Sequence, residues 1–303
     1  MNECGILYLC ATPIGNLEDI TLRALRILKE VDLVAAEDTR HTRKLFSHFD
    51  IHTPLTSYHE HNSLSKGPQL VEQLLAGKNV ALVSDAGLPG VSDPGEKLVA
   101  LAVGQGIKVV PVPGPSASLA ALVVSGLPSA RFCFEGFLPS RGKDRRRRLE
   151  ELQWEKRTLV FYEAPHRLGA ALSDMGEYMG GRQVCIAREL TKKFEELWRG
   201  SLEEAVLKFR NKPPRGEITL VMEGRRDSGE AGDTGDNGPA GGDGLPPGED
   251  GLRAMVLDLE RGGISRRDAI KEASRTAGVP KRLVYSAMLE QKKKEVVNPS
   301  HSD

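Results

Sequence analysis

The stretch 80–95 limits what this chain can fold into more than any other part of the sequence. The apolar run Val80–Val83 stands between turn-forming residues, which is typical of a buried parallel strand. A loop with three glycines and two prolines follows, and Asp93-Pro94 then precedes helical spacing, a pattern typical of an N-cap followed by a first-turn proline. Ligands of open α/β sheets lie beyond the carboxyl ends of strands. This loop therefore predicts a ligand contact, whereas an ordinary connection of about two to six residues would be shorter.

Short apolar runs alternate with amphipathic segments as far as residue 223, and this alternation predicts an α/β fold with mainly parallel or mixed sheets. The predicted strands cover residues 6–11, 31–36, 80–83, 107–112, 131–137, 158–162, 183–187 and 216–223, and residues 194–199 are expected to add a short antiparallel strand. Each strand but the last is followed by a segment with helical spacing or by a turn. The sequence thus predicts strands whose carboxyl ends share one edge.

Changes in composition predict five segments. A Gly-Leu-Pro turn at residues 126–128 separates an N-terminal α/β domain, 1–126, from a second α/β domain, 127–224. Residues 225–251 contain twelve glycines or prolines and seven acidic residues without apolar periodicity, which predicts a disordered linker. Residues 252–290 resume helical spacing around a Gly278-Val279-Pro280 turn, like a helix-turn-helix, with Ser265 as an N-cap. Residues 291–303 form a polar tail.

Charge is balanced overall but not locally. The chain has 42 Lys+Arg against 42 Asp+Glu, so net charge identifies no partner. Residues 252–303 carry 11 basic and 7 acidic side chains, and Arg141–Arg148 has six basic residues in eight. Such local basic runs favour contact with nucleic-acid phosphates, although a solvated helix face explains the second run equally well.

The four cysteines give no sign of a metal site. They form no C-x-x-C pair, and no histidine lies at metal-ligand spacing from one of them. The N-terminus lacks a basic region followed by a long apolar run, and no stretch reaches the roughly eighteen apolar residues of a membrane span. We therefore expect a reduced, cytoplasmic protein without a metal or a membrane partner.

Seven motifs occur in a fixed order along the chain. They are Ala11-Thr12-Pro13-Ile14-Gly15-Asn16-Leu17, Glu37-Asp38-Thr39-Arg40-His41-Thr42, Ser84-Asp85-Ala86-Gly87 with Asp93-Pro94-Gly95, Pro113-Gly114-Pro115, Glu135-Gly136-Phe137-Leu138-Pro139, Phe161-Tyr162-Glu163 with His166-Arg167, and Arg188-Glu189-Leu190-Thr191-Lys192. Together they resemble the tetrapyrrole methylase superfamily, in its branch of ribosomal RNA small subunit methyltransferases I. The resemblance spans about residues 6–224 and extends to a C-terminal helical segment. The long linker is the main departure from the family pattern.

The resemblance implies two α/β domains, a homodimer, and S-adenosylmethionine bound in the cleft between the domains. It implies 2′-O-methylation of a cytidine in the decoding region of 16S rRNA, within the small ribosomal subunit. The residues that it assigns to the cofactor are Pro13, Asp85, Ala86, Gly87, Val91, Asp93, Pro94, Ser116, Ala117, Tyr162, Ala187, Ile218 and Thr219. For the apolar members, and for Ala187 in particular, core packing is an alternative explanation.

Methyl transfer to a ribose hydroxyl needs a base or a nearby cation, because the hydroxyl is a poor nucleophile while it keeps its proton. The candidates are Glu37 and Asp38 as bases, with Arg40, Arg188 and Lys192 as cations, of which Lys192 is the catalytic candidate. The predicted RNA contacts are Arg40, Arg145, Arg146, Arg147, Arg148 and Arg188. Asp38 and Arg40 could instead form a pair that only fixes loop geometry.

Three functions remain open at this point. The first is the rRNA ribose methyltransferase, and the second is a methylase of a corrinoid or porphyrin precursor from the same superfamily. The third is a non-catalytic ribosome-binding protein, which would not need the glycine-rich loop after residue 83. The local basic runs favour the RNA substrate over the small molecule.

Overall fold

The computed structural model describes residues 4–85, 87–210, 214–226 and 249–277, together with Val284 and Met288. The chain divides into two compact units, Met1–Asp227 and Ser228–Asp303. Within its described residues, the first unit contains two five-stranded sheets with helices packed on them. The predicted α/β class is thereby confirmed.

The first sheet is parallel throughout. Its elements are β1 (Ile6–Cys10), α1 (Leu22–Glu30), β2 (Leu33–Ala36), α2 (Thr39–His48), β3 (Leu55–Ser57), α3 (Ser63–Leu75), β4 (Val80–Val83), α4 (Gly95–Gly104), β5 (Lys108–Val112) and α5 (Ala117–Val124), with a 3₁₀ turn at Leu17–Asp19. The strand order is β3-β2-β4-β1-β5. The loops that follow these strands therefore meet at one edge, where open α/β sheets bind ligands.

The second sheet is mixed. Its elements are β6 (Phe132–Phe137), α6 (Gly142–Leu152), β7 (Thr158–Glu163), α7 (Leu168–Met179), β8 (Gln183–Arg188), β9 (Glu196–Ser201), α8 (Leu202–Phe209) and β10 (Ile218–Met222). The order is β6-β7-β10-β8-β9, and only the pair β6-β7 is parallel. The last strand is thus inserted between two earlier ones.

Helix α5 ties the two sheets together. Its Ala121 and Leu122 are buried against Val160, Cys185 and Val221 on one face of the second sheet. Burying a side chain such as Val or Leu contributes roughly 1.5–3 kcal/mol. The opposite face of that sheet packs on α6, α7 and α8 through a separate cluster that includes Phe161 and Leu172.

One strand escaped the sequence analysis. β3 has only three residues, Leu55–Ser57, all of them half-buried, so it shows neither alternation nor a fully apolar run. The other boundaries differ from expectation by a few residues at most. For example, α1 begins at Leu22 because the Thr21 hydroxyl accepts a hydrogen bond from the Ala24 amide at 3.1 Å.

The second unit contributes α9 (Glu249–Arg261) and α10 (Arg266–Thr276). Apolar residues of both helices form a cluster with Val284 and Met288. Ser265 accepts a hydrogen bond from the Asp268 amide at 3.3 Å, as expected of an N-cap. The predicted Gly278-Val279-Pro280 turn and the tail lie outside the described residues.

The predicted linker, 225–251, is too long at both ends. The Arg225 amide donates to the Glu155 carbonyl at 2.7 Å, and its guanidinium lies 4.2 Å from the centre of the Trp154 ring. At the other end, Glu249 already begins α9. Residues 227–248, the rest of the predicted linker, lie outside the described residues.

Among the described residues, no helix combines the length and apolar character needed to cross a membrane.

Candidate active site

A cavity of about 390 Å³ lies at the edge where the loops of the first sheet face the second sheet. Loops after β1, β2 and β4 form one side, and β7, β8 and β10 form the other. The described residues that line it are Ile14, Glu37, Asp85, Val91, Ser92, Asp93, Ala117, Phe137, Tyr162, Glu163, Ala164, Pro165, Ala187, Leu190, Gly216, Glu217, Ile218 and Thr219. Its size is within the usual range for small-molecule sites.

The lining is acidic. Five carboxylate residues belong to it, namely Glu37, Asp85, Asp93, Glu163 and Glu217, whereas no Lys, Arg or His occurs among the lining residues that the structure describes. Opposite charges attract strongly where water is partly excluded. A ligand with positive charge and an apolar or aromatic part therefore fits this cavity.

The loop after β4 is folded around Gly87. Its φ is +97°, a conformation that glycine adopts at little cost. A Cβ atom here would lie 2.6 Å from the Pro115 carbonyl oxygen and 3.1 Å from Ile14 Cγ2. The Thr12 amide donates to the Gly87 carbonyl at 3.1 Å, and the Thr12 hydroxyl donates to the Ser84 carbonyl at 2.8 Å. Gly87 thus allows three loops to meet, although it is not itself a lining residue.

Asp93 shapes the same loop. Its carboxylate accepts hydrogen bonds from the Gly90 amide at 2.9 Å and from the Gly95 amide at 2.7 Å. Ser92, just before it, has a φ of +64°, which is unusual for a residue with a side chain. The hydrogen bonds to Gly90 and Gly95 therefore hold the loop backbone on both sides of Asp93. The N-cap predicted for Asp93 is wrong in detail, since Pro94 occupies that position in the structure.

Glu37 is the best-placed base among the described lining residues. It follows β2, is half-buried, and accepts a long hydrogen bond from the Asp85 amide at 3.5 Å. Burial raises the pKa of Glu37, with smaller effects from Asp85 and Asp93. Burial likewise raises the pKa of Asp85. A carboxylate with a raised pKa is a better proton acceptor than a free one.

Asp38 is committed to Arg40. The Arg40 guanidinium donates to both carboxylate oxygens, at 3.0 and 2.7 Å, and the Arg40 amide donates to the same group at 2.8 Å. These hydrogen bonds hold the pKa of Asp38 well below its usual range. Asp38 is therefore a weak base that caps α2, and the pair fixes the loop.

Donor atoms of Asp38, His41 and Asp85 lie within 4.8 Å of one another, which is close enough to share an ion. Asp38 is already bound by Arg40, and the other two side chains are exposed. We assign no metal to this group.

Lys192 is not a lining residue of the cavity, but it contacts one that is. Its ammonium group is 2.9 Å from Glu189 and 3.2 Å from Glu217, which does line the cavity. Although burial acts to lower it, these two hydrogen bonds raise the pKa of Lys192. Its alkyl chain also packs so closely on Gly15 that a Cβ there would lie 2.3 Å from Lys192 Cγ. Lys192 thus joins a loop of the first sheet to a loop of the second.

The register of the second sheet brings three predicted cofactor residues side by side. Thr219 of β10 pairs with Tyr162 of β7 on one side and with Ala187 of β8 on the other. Residues paired in this way point to the same face of a sheet. The Tyr162 ring also contacts Phe134 and Phe137, at centroid distances of 5.0 and 5.6 Å.

The predicted cofactor residues divide into two groups. Those on the lining are Asp85, Val91, Asp93, Ala117, Tyr162, Ala187, Ile218 and Thr219. Pro13, Pro94 and Ser116 lie in the same loops as lining residues but are not among them. The Pro94 carbonyl instead accepts a hydrogen bond from the Tyr58 hydroxyl at 3.1 Å. Ala86 lies outside the described residues.

Sequence analysis missed several lining residues, although most have a signal. Ile14, Phe137 and Leu190 lie within the quoted motifs, and Gly216-Glu217 are the first two residues of the predicted last strand, just before β10 begins in the structure. Glu163 is almost fully buried, and its pKa is raised by that burial. Its carboxylate pairs with Arg167 at 3.2 Å.

The four arginines of the basic run on α6 have carboxylate partners, which argues against RNA contact for two of them. Arg145 is buried, with Asp174 at 2.6 Å. Arg148 is bound by Glu135 at 2.6 Å and by Glu151 at 2.8 Å. Arg146 and Arg147 are exposed, although each has a carboxylate within 4 Å. A charge every three or four residues on a helix allows such pairs, and the sequence does not reveal the partners from other elements.

Arg188 also has partners. Its guanidinium donates to Glu196 at 3.0 Å and to the Arg215 carbonyl at 3.1 Å. Arg188 of β8 therefore helps to hold the edge strand β9, which carries Glu196, on the second sheet.

Comparison with known proteins gives a family match over most of the first unit. Residues 7–206 match the model of Tetrapyrrole (Corrin/Porphyrin) Methylases. The chain is 49% identical to the ribosomal RNA small subunit methyltransferase I of Halalkalibacterium halodurans, over 94% of this chain and 95% of that protein. The protein of the same name from Thermotoga maritima is 52% identical over 73% of this chain and 99% of its own length.

Two solved structures are similar in fold. One is the uroporphyrin-III C-methyl transferase from Thermus thermophilus complexed with S-adenyl homocysteine, which is 20% identical, with a TM-score of 0.53, over 72% of this chain and 97% of that chain. The other is diphthine synthase, which is 16% identical, with a TM-score of 0.54, over 72% of this chain and 90% of that chain. At such identities the likeness concerns the fold alone.

Proposed function

The chain belongs to the tetrapyrrole methylase family and, within it, to the ribosomal RNA small subunit methyltransferases I, and from this premise we propose that it methylates rRNA with S-adenosylmethionine. The proposed product is a 2′-O-methylated cytidine in the decoding region of 16S rRNA. The observation that carries the proposal is the acidic lining of the cavity: Glu163 and Glu217 are paired with Arg167 and Lys192, but Glu37, Asp85 and Asp93 have no ion pair among the described residues. Such a lining suits a sulfonium cation.

We propose that the cofactor is held from both sheets. Asp85, Val91 and Ala117 would contact it from the first, and Tyr162, Ala187, Ile218 and Thr219 from the second. When bound, S-adenosylmethionine supplies an electrophilic methyl group on sulfur. Several lining side chains are apolar and keep water away, which favours a displacement in which positive charge is lost.

Glu37 would accept the proton of the ribose hydroxyl as the oxygen attacks the methyl carbon. The new bond is O–CH₃, the S–CH₃ bond breaks with its electrons left on sulfur, and the proton ends on the Glu37 carboxylate. Asp38 is unsuited to this step because Arg40 lowers its pKa. Lys192 is proposed as a positioning residue that holds Glu217 at the cavity, rather than as the base.

Glu37→Gln should lower kcat about 100-fold, since removing a general base typically costs a factor of that size or more. The affinity for S-adenosylmethionine should change little. Because burial raises the pKa of Glu37, wild-type activity should fall as pH decreases through a value above that of an ordinary glutamate. The base works only as the carboxylate, so this acidic limb should be absent from the variant. Single-turnover rates against pH measure both effects, and an unchanged rate in Glu37→Gln would exclude Glu37 as the base.

The function itself is tested by methyl transfer from radiolabelled S-adenosylmethionine. Purified 30S subunits lacking the modification, naked 16S rRNA and a precorrin are the three substrates. We expect label in the 16S rRNA, at a cytidine ribose that becomes resistant to alkaline cleavage. Label on the precorrin alone would favour a small-molecule methylase, and no binding of the cofactor in calorimetry would exclude methyl transfer altogether.

On the RNA side, Arg146 and Arg147 remain proposed contacts because both are exposed. We also propose that the chain acts as a homodimer. Every residue of α5 from Leu119 to Val124 is apolar, yet Leu119 and Val123 are 49% and 71% exposed. A helix that is apolar on all sides is normally covered, so this face supports self-association.

We further propose that the second unit, 228–303, helps dock the enzyme on its RNA and supplies no catalytic group. The relative from Thermotoga maritima matches 73% of this chain over 99% of its own length, so a protein of the same name exists without a counterpart to roughly a quarter of this chain. Tethering raises the effective concentration of a bound partner.

Truncation after Arg226 should therefore raise the KM for 30S subunits several-fold and leave the cofactor affinity unchanged. This end point keeps the contacts of Arg225 with Glu155 and Trp154. Steady-state kinetics and calorimetry on the same preparations measure the two quantities. Lost cofactor binding, or unchanged kinetics, would contradict the docking role.

A further inference from the structure

Helix α2 carries a row of exposed cations, and two of them have no ion-pair partner among the described residues. Arg40, Arg43 and Lys44 are exposed, and no acidic residue occurs within Thr39–His48. The Arg40 charge is matched by Asp38, but no ion pair among the described residues involves Arg43 or Lys44. By contrast, all four arginines Arg145–Arg148 of α6 have carboxylate partners. Within the described residues, the four arginines of α6 are thus paired, whereas Arg43 and Lys44 of α2 keep unmatched charge, as do the exposed Arg141 and Lys143 at the start of α6.

The row begins at the rim of the cavity. Glu37, which lines the cavity, directly precedes Asp38, the N-cap of α2. Donor atoms of Asp38 and His41 in the first turn lie within 4.8 Å of the Asp85 carboxylate. Because a helix rises 5.4 Å per turn, Arg43 and Lys44 are about one turn beyond Arg40. An RNA strand bound to these cations would therefore pass directly beside the cavity.

The row ends at a second concavity of about 480 Å³, at the C-terminal half of α2. Its lining includes Arg43 and Ser47 of α2, and Thr53 and His52 from the segment leading into β3. Asp50 also lines it, and its exposed carboxylate lies 2.9 Å from His52, which offsets that charge only when the imidazole is protonated. The concavity is large enough to hold one nucleotide of an RNA strand.

Resting on the proposed function, we propose that the exposed face of α2 (Arg40, Arg43 and Lys44) is the surface along which the RNA backbone lies when its target nucleotide enters the cavity. The occupant is a single-stranded RNA segment, because a nucleotide that is paired and stacked in a duplex cannot enter a cavity unless it is first unpaired. The concavity beside Arg43 then takes a nucleotide that flanks the target. Phosphate contacts of this kind position the strand without reading its sequence.

The test compares two double variants of equal charge. Arg43→Gln/Lys44→Gln removes the two unmatched cations of α2. Lys29→Gln/Lys78→Gln is the control: Lys29 is in the last turn of α1, before β2, and Lys78 is in the turn before β4, so both exposed lysines lie near the amino ends of these strands, at the opposite edge of the parallel sheet. Affinity for 30S subunits and for a single-stranded 16S rRNA fragment is measured over a range of salt concentrations.

We expect the α2 variant to bind RNA about tenfold more weakly, with a salt-dependence slope smaller by about 1.4, which corresponds to two single-strand phosphate contacts. Its cofactor affinity and helical content should match wild type, and the control should match wild type throughout. A salt-dependence slope unchanged from wild type would mean that α2 is a solvated surface that does not contact RNA phosphates. A changed sedimentation coefficient with unchanged RNA affinity would make it a contact between copies of the chain.

Binding is measured without methyl transfer, so the two proposals fail separately. If wild type binds RNA through α2 but transfers no methyl group, the proposed function fails and the surface stands. If methyl transfer is observed and the α2 variant is unaffected, the surface fails and the function stands.

Discussion

Gly87→Val should abolish methyl transfer and weaken S-adenosylmethionine binding about 100-fold or more, equivalent to about 2.7 kcal/mol. A valine cannot readily adopt the φ of +97° found at this residue. Its Cβ would also lie 2.6 Å from the Pro115 carbonyl oxygen, a backbone atom that moves only with its loop. The loops carrying Ile14, Asp85 and Ala117 would have to separate, and all three residues line the cavity.

Gly106→Val is the matched control for this prediction. Gly106 also has a positive φ, +70°, but a Cβ there meets nothing within 4 Å. It precedes β5 at the amino edge of the sheet, away from the cavity. Its variant should share the backbone strain and keep the cofactor affinity. Calorimetric titration of both variants measures the difference, and cofactor binding by Gly87→Val at the wild-type level would show that the loop junction is not required.

Asp85→Ala in the same loop separates charge from shape. Its backbone can stay in place, so the affinity lost reflects the carboxylate alone. A cationic ligand should lose affinity in this variant, although less than in Gly87→Val.

Arg145→Ala should lower the free energy of unfolding by about 3–5 kcal/mol, the usual cost of removing one partner of a buried ion pair. Arg145 and Asp174 join α6 to α7, and their side chains are 9% and 10% exposed. Without Arg145, the one cation that the described residues leave beside the Asp174 carboxylate is Arg146, at 3.6 Å. Chemical denaturation measures the change.

Two variants make this result specific. Arg147→Ala removes a charge from the same helix at an 81% exposed side chain, and its stability should remain close to wild type. Arg145→Met/Asp174→Leu replaces the pair with apolar groups and should recover most of the loss, because no buried charge is left unpaired. If Arg145→Ala were as stable as wild type while RNA affinity fell, Arg145 would be an RNA contact after all.

The sequence by itself determined the α/β class and most of the strands and helices. Apolar runs such as Val80–Val83 must be buried, and each is bounded by residues that favour turns, so these elements follow from local physics. It also predicted a ligand contact for the loop after β4, and the structure places this loop at the same edge as those after β1 and β2, since parallel strands place their carboxyl ends together. β3 was not predictable, because three half-buried residues carry no pattern.

The tertiary structure decided which residues meet. Tyr162, Thr219 and Ala187 are far apart in sequence and adjacent only because β10 is inserted between β7 and β8, a choice that long-range packing makes. Partners of charged side chains depend on the same long-range contacts. The pairing of Arg145 with Asp174 across two helices buries its charge, while Arg43 and Lys44 kept unmatched charge within the described part of the chain. A charge is visible in the sequence, but the group that neutralises it is fixed only when the helices pack.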